Sequence, residues 1–263
     1  MQNSYQELPA GWATAFATLA ETIGTAGFPA ALRQMLGQCC SFDSMVATRF
    51  SGATPPASLY QDLDALQAAI TVEFYASGPY LLDPLYQAGR NGKTPGAYRL
   101  MDLAPEGFYR SEYYRVIYGK LGISDEIGLL IPDGEESWIL VSLARFTRKQ
   151  KFTDEDTGRL NAVFGLISAV VLRQWGQLER PLKDTSGTDW DDRMQTFGNG
   201  VLSPREGEVV QLVLQGHSTP SAAAYLGISP GTVKVHRHHA YAKLGISSQA
   251  ELFALASRHL ASG

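Results

Sequence analysis

Ser203-Pro204-Arg205-Glu206 and Leu226-Gly227-Ile228-Ser229-Pro230-Gly231-Thr232-Val233-Lys234-Val235-His236, in the last quarter of the chain, decide the fold of its C-terminal part. The first stretch is a capping box. Ser203 accepts from the third amide of a helix, Glu206 reaches back, and Pro204 occupies the first helical slot, where its missing N–H costs nothing. Val209, Val210, Leu212 and Val213 supply the buried side, and Gly216 ends the helix in a conformation that a Cβ resists. A short helix is expected over 219–226, a turn at Gly227, and a longer helix from Ser229 to Leu244. Ser248-Gln249-Ala250-Glu251 is a second capping box and opens a fourth helix with Leu252, Phe253, Leu255 and Leu260. Two short helices about a glycine turn, the second beginning Ser-x-x-Thr and carrying Lys, Arg and His, form a helix-turn-helix pattern.

In that helix Val233, Ala240 and Leu244 fall on the core side, which leaves Lys234, Val235 and His238 facing outward. A lysine donates to guanine acceptors, a valine meets a thymine methyl, and a histidine donates to base or phosphate. Thr232, Arg237 and Lys243 are placed to hold phosphates, which fixes position without reading sequence. Double-stranded DNA is therefore the expected partner. His236 and His239 have usable helical spacing for a metal, but no carboxylate or cysteine joins them, so no metal or other cofactor is expected.

At these residues the chain resembles the DNA-binding domain of LuxR/NarL-type transcription regulators. The elements that match the family pattern are residues 202–209, Gly216-His217-Ser218, residues 229–236 and Lys243-Leu244. The resemblance implies base approach by Lys234, Val235 and His238, a dimer contact through the fourth helix, and activation through RNA polymerase. The scaffold helix departs from the family: Thr219-Pro220-Ser221-Ala222-Ala223 stands where Asn-Lys-Glu-Ile-Ala is usual. Ala222 replaces a larger core residue and Ser221 removes a carboxylate, which implies lower intrinsic stability or a shifted operator preference.

The net charge is −4 over 263 residues, yet it is unevenly placed. From Val201 onward five basic residues meet three acidic ones, or +2, and all five histidines lie there; the remainder has 17 basic against 23 acidic, or −6. This suits a small DNA-facing module on a body that does not touch DNA. Residues 181–200 are rich in Asp, Ser, Thr and Gly and read as a linker. Cys39 and Cys40 are the only cysteines, and neighbours hardly ever form an unstrained disulfide, which points to a reducing compartment. No signal peptide and no membrane span are expected, and a cytoplasmic location follows.

The N-terminal part reads as α/β. Helices are expected over 12–23 and 28–38, a strand over 44–50, a break at Thr54-Pro55-Pro56, and a helix over 59–75. Strands 126–131 and 138–145 flank Pro132-Asp133-Gly134, a hairpin signal. Thr153 caps a long helix whose stripe of Leu160, Val163, Phe164, Ile167, Val170 and Val171 packs on the sheet or joins a dimer. The segment 108–115 is expected to be a partly exposed helix or lid.

This part resembles, more weakly, the LuxR autoinducer-binding domain, with Leu82-Asp83-Pro84 followed by Tyr98. The resemblance implies an α-β-α sandwich on a PAS/GAF-like antiparallel sheet, and so two domains: 1–178, sensing a small-molecule effector, and an all-α four-helix helix-turn-helix domain, 201–263, joined by a linker, 179–200. Receptors of acyl-homoserine lactones place a Trp and a Tyr where Ile70 and Phe74 stand, and a carbonyl buried without its donor loses about 1–3 kcal/mol. A different effector is expected. Asp83 remains an acceptor, and Phe74, Tyr75, Tyr80, Tyr98 and Trp138 are its candidate aromatic neighbours, a set that suits an amine or ammonium compound. Alternatively these aromatics fill the core and Asp83 caps a helix. The function expected is a ligand-responsive homodimeric transcription regulator; a lactone receptor and a sigma-factor-like protein are the alternatives. An enzyme is not expected, since no His precedes residue 217 and neither a phosphate loop nor a nucleophile elbow is present.

Overall fold

Five strands make one antiparallel sheet in the order β2-β1-β5-β4-β3. They are β1 (Ser44–Ser51), β2 (Thr54–Gln61), β3 (Gly96–Arg99), β4 (Asp125–Pro132) and β5 (Ser137–Arg145). The computed structural model describes residues 11–52, 54–146, 151–176 and 196–261. Alternation along the strands divides the sheet. Met45, Ala47, Ile127, Leu129, Ile131, Ile139, Val141 and Leu143 face one side. That side is covered by α1 (Trp12–Glu21), α2 (Phe28–Gly37) and the long helix α7 (Asp154–Trp175), so the stripe on α7 packs on the sheet. Cys39 and Cys40 are free thiols buried in this layer, and burial pushes Cys40 up to about 12.

The opposite face is covered by shorter pieces. These are α3 (Ala65–Ala68), continued by a π-helical turn over Ala69–Phe74, then α4 (Pro84–Arg90), α5 (Leu100–Leu103) and α6 (Glu112–Tyr114), which runs into a second π-helical turn over Arg115–Gly119. The result is an α-β-α sandwich. The edge strand β3 is closed by a side chain: Asn161 of α7 accepts from Ala97 N at 2.8 Å and donates to Ala97 O at 3.0 Å. This satisfies groups that an open edge would leave exposed.

Two elements differ from the sequence expectation. Thr54-Pro55-Pro56 does not break the chain but begins β2. Because β2 is the other edge, and Pro55 and Pro56 fall in a register irregularity between the Arg49–Ala57 and Ser51–Thr54 pairs, neither proline is asked for a ladder hydrogen bond. The helix expected over 59–75 starts only at Ala65, where Asp64 accepts from Gln67 N at 2.8 Å; Leu59 belongs to β2. The apolar spacing there spans a strand and a helix. The hairpin is as expected, with Asp133 N donating to Ser137 O at 2.8 Å.

The C-terminal region is four helices: α8 (Pro204–Leu214), α9 (Thr219–Leu226), α10 (Pro230–Leu244) and α11 (Gln249–Ala261). Ser203 and Glu206 form the capping box, and Gly227 and Gly245 end α9 and α10 in the left-handed region. Of the expected linker, residues 179–195 lie outside the described residues. Residues 196–200 are folded, with Phe197 buried edge-on against His259, ring centroids 5.5 Å apart.

One hydrophobic cluster runs from the sheet through Phe108 and Tyr113 into Val209, Leu212 and Phe253. Its seam is tight. A Cβ on Gly107 would stand 2.5 Å from Gly216 O and 2.9 Å from Ser218 N, and one on Gly216 would stand 2.9 Å from Phe108 Cα. Gly107→Val should therefore cost this seam about 1–3 kcal/mol by overpacking. Calorimetry should resolve separate unfolding of the N- and C-terminal parts in the variant; a single transition at the wild-type temperature would contradict the seam.

Candidate nucleic-acid interface and effector cavity

In α10, Ser229 caps the N-terminus, accepting from Thr232 N at 3.0 Å. Val233 and Ala240 point inward and are 1% and 0% exposed, whereas Val235 is 52% exposed. Lys234 and His238 are exposed beside Val235, and Thr232 lies exposed on the first turn. Arg237 is half-buried and adjoins Lys234, His238 and Tyr241 on a surface cleft. Five of the six expected DNA-contacting residues thus lie on the outer surface of one helix.

Lys243 is placed differently. Its Nζ donates to Glu206 Oε2 at 2.7 Å, and the same oxygen accepts from Ser203 N at 2.7 Å. The Lys243 ammonium and the Ser203 amide hold the Glu206 carboxyl down to about 2. The ammonium is the partner of a capping-box carboxylate, and it ties α10 to the start of α8. Sequence spacing cannot show this, because the two residues are far apart along the chain.

On the N-terminal part, the face of the sheet under α3–α6 carries small residues toward one end. Ser44 pairs with Ala144, Val46 with Ser142, Glu126 with Ala144 and Gly128 with Ser142. These small side chains leave a cavity of about 60 Å³, walled on the far side by Thr71, Tyr75, Asp83, Tyr113, Ile117 and Tyr118. Asp83 is 4% exposed and Glu126 8%. Asp83 accepts from Tyr75 Oη at 2.7 Å through one oxygen and from Leu85 N at 2.8 Å through the other, so it caps α4 while facing the cavity. Glu126 accepts from Tyr118 Oη at 2.6 Å. Burial is the main cause that pushes the Asp83 carboxyl upward; burial, with the Asp83 charge next, pushes Glu126 up to about 7. Burial and the two nearby acids likewise raise the hydroxyls of Tyr75, Tyr113 and Tyr118 well above their usual range. Tyr113 Oη and Thr71 Oγ1 are buried with no hydrogen-bond partner of ordinary geometry.

Of the expected effector residues, the cavity brings together Tyr75 and Asp83. Tyr80 is buried one layer behind, its ring 6.1 Å from Tyr75 and 4.9 Å from Tyr86. Trp138 stacks on Phe50 at 5.3 Å and lines an outer cleft with Gly89 and Arg90. Tyr98 gives its hydroxyl to Thr94 O at 2.7 Å beneath the Lys93 ammonium. Phe74 is half-buried in the core around the cavity. Trp138, Tyr98 and Phe74 stand outside the lining, because strand register and the π-helical turn set their direction. That turn adds a residue per coil, so Tyr75 rather than residue 74 delivers a hydroxyl to the site. Glu126, Tyr113, Tyr118, Thr71 and Ser142 are the residues that the sequence reading missed.

The segment 107–118 serves two surfaces. Tyr113, Ile117 and Tyr118 wall the cavity, while Gly107, Phe108 and Ser111 abut the Gly216 turn between α8 and α9. As expected it is a partly exposed helical segment, with Tyr109, Arg110 and Arg115 on the surface and Phe108, Tyr113, Ile117 and Tyr118 buried.

The family model GerE, bacterial regulatory proteins of the luxR family, matches residues 200–256. A protein of Aeromonas salmonicida, named an HTH-type transcriptional regulator in the exeN 3' region, is 34% identical over 187 residues, covering 68% of this chain and 94% of that protein. The chain belongs to the luxR family. An HTH-type transcriptional regulator of Mycobacterium bovis is 46% identical over 113 residues, 42% of this chain; the chain spans 12% of that longer protein. The VqsR LBD domain from Pseudomonas aeruginosa superposes with a TM-score of 0.55 and 26% identity, covering 63% of this chain and 95% of that domain. This luxR-family chain thus couples a helix-turn-helix to a sandwich of the VqsR LBD kind.

Two outcomes follow from the electrostatics. Glu206 titrates lower in the folded protein than its ordinary 4.5, so its contribution is full above that pH and is lost as pH falls toward about 2. Lys243→Met should lower the unfolding midpoint at neutral pH and flatten this acid limb in a pH-resolved thermal series. Glu126 titrates higher than its ordinary 4.5, so its effect runs the other way: stability falls as pH rises from about 4.5 to about 7. Glu126→Gln should remove that slope, and an unchanged slope would contradict the assigned burial.

Proposed function

We propose that this luxR-family regulator binds a small organic effector in the cavity between the sheet and α3–α6, and reads DNA with α10. Lys234, Val235 and His238 approach base edges in the major groove, while Thr232 and Arg237 lie toward phosphates. The observation that carries this reading is the inside-out division of α10, with Val233 and Ala240 sealed in the core and a valine left 52% exposed between a lysine and a histidine. An exposed valine between a lysine and a histidine has a ready use against a thymine methyl.

The effector reading is supported by the cavity itself and by the likeness to a domain titled LBD. A standard acyl-homoserine lactone is disfavoured, because the Ile70 side chain has no donor to offer a lactone carbonyl and one oxygen of Asp83 is already engaged by Tyr75. Two copies of the chain would read the halves of an inverted repeat, and the effector would favour one dimer arrangement over another. Activation, by contact with RNA polymerase, is the sense of regulation that the family resemblance suggests. We place the protein in the cytoplasm, where its DNA target and two unpaired thiols fit. Among the described residues no helix is long and apolar enough to cross a membrane.

Selection from a random duplex pool at physiological ionic strength tests this. Wild type should enrich one motif, and Lys234→Ala or Val235→Ala should change the enriched bases, at about 1–3 kcal/mol per lost contact. Arg237→Ala should weaken all sequences alike and reduce the salt dependence. Enrichment of the same motif by Lys234→Ala and Val235→Ala with undiminished preference would refute the assigned helix face.

A further inference from the structure

We infer that the cavity takes a compact organic cation, an ammonium- or guanidinium-bearing molecule, held between Asp83 and Glu126, with Glu126 as a second acid that sets specificity. This rests on the effector reading above and names the chemistry of that site.

Two carboxylates face one small cavity, and both are more than nine-tenths buried. The Asp83 charge adds to the cost of ionising Glu126, and Tyr75, Tyr113 and Tyr118 each feel both acids. Buried acids of this kind are ordinarily matched by a lysine, arginine or histidine. Among the described residues lining the cavity there is none. The positive charge that would balance the pair has to arrive with the occupant.

A second observation points the same way. The hydroxyl of Thr71 is buried at the cavity wall without a hydrogen-bond partner, and that of Tyr113, a residue 1% exposed, has none of ordinary geometry and leans only on Asp83. With the two carboxylates they give four acceptors around one space, which matches several N–H donors on one cationic centre. Three tyrosine rings stand around it, and such faces attract cations. A metal ion suits the site less well, because among the described residues no group of three or more His, Cys, Asp or Glu side chains is placed to hold one. The volume of about 60 Å³ is roughly four times what one water needs, so the cation is small.

Glu126 is the residue that makes this testable. Asp83 also caps α4, so its loss confounds folding with binding. Glu126→Gln keeps the shape of the side chain and an acceptor for Tyr118, and removes only the charge. The probes are ethylammonium and ethylenediammonium chlorides, with ethylene glycol and sodium chloride at matched ionic strength as neutral and inorganic controls. Thermal unfolding and calorimetric titration of the full chain should show binding of the ammonium probes and not of the controls. Glu126→Gln should unfold no earlier than wild type and bind the ammonium probes at least about tenfold more weakly, about 1.4 kcal/mol. The proposal is overturned if the ammonium probes leave the full chain unshifted. Stabilisation by ethylene glycol or sodium ion equal to theirs, or unchanged affinity in Glu126→Gln, would overturn it equally. DNA selection by the same preparations separates the two readings: failure to select DNA with cation binding intact refutes the proposed function alone.

Discussion

Two carboxylates enclosed with no counter-cation among the described residues that line their cavity are the constraint on which the rest of the sandwich turns. A buried acid is costly to ionise, and a neighbouring acid makes it costlier. The fold accepts this at Asp83 and Glu126 and offsets it with neutral donors alone, among them the hydroxyls of Tyr75, Tyr118 and Ser142 and the amide of Leu85. Elsewhere in the same sandwich the chain solves a like problem fully. Asp156 is buried, but Arg145 lies 3.3 Å and Arg159 2.7 Å from its oxygens. The contrast between one balanced acid and one unbalanced pair marks the cavity as a place left for an occupant.

The cavity is made by register. Because Ser44, Ser142 and Ala144 fall on one face, with Ser44 opposite Ala144, the sheet is thin there, whereas at Gly128 the Leu85 side chain of α4 fills the space. The wall supplied by Tyr113, Ile117 and Tyr118 belongs to the same short segment whose Gly107 and Phe108 backbone lies against Gly216. An occupant that displaces Tyr113 acts on a segment already in contact with the helix-turn-helix. Packed interiors transmit such shifts because they have few voids to absorb them.

Much of this architecture was legible in the sequence. The capping boxes at Ser203 and Thr153, the glycine stops and the Pro132-Asp133-Gly134 turn depend on residues a few places apart, and each element begins or ends where those local rules place it. The face of α10 was readable for the same reason. The prolines of β2 were misread because their tolerance depends on being at an edge, which only the strand order reveals. The Lys243–Glu206 pair was not legible because the carboxylate lies in another helix. In the cavity, Asp83 and Tyr75 were visible as an Asp-Pro pair and a nearby tyrosine, but Glu126 was read as part of an apolar strand. Its signal was present: an acid two residues from Gly128, in a strand apolar on both faces, must be buried beside it.

Isotope-edited infrared titration of the empty full-length protein tests the central claim most directly. A buried protonated carboxyl should persist to pH about 7, and its band should be absent in Glu126→Gln. If every carboxyl of the wild-type protein is ionised by pH about 5, within the ordinary range for glutamate, the cavity holds no strained acid pair and the account fails.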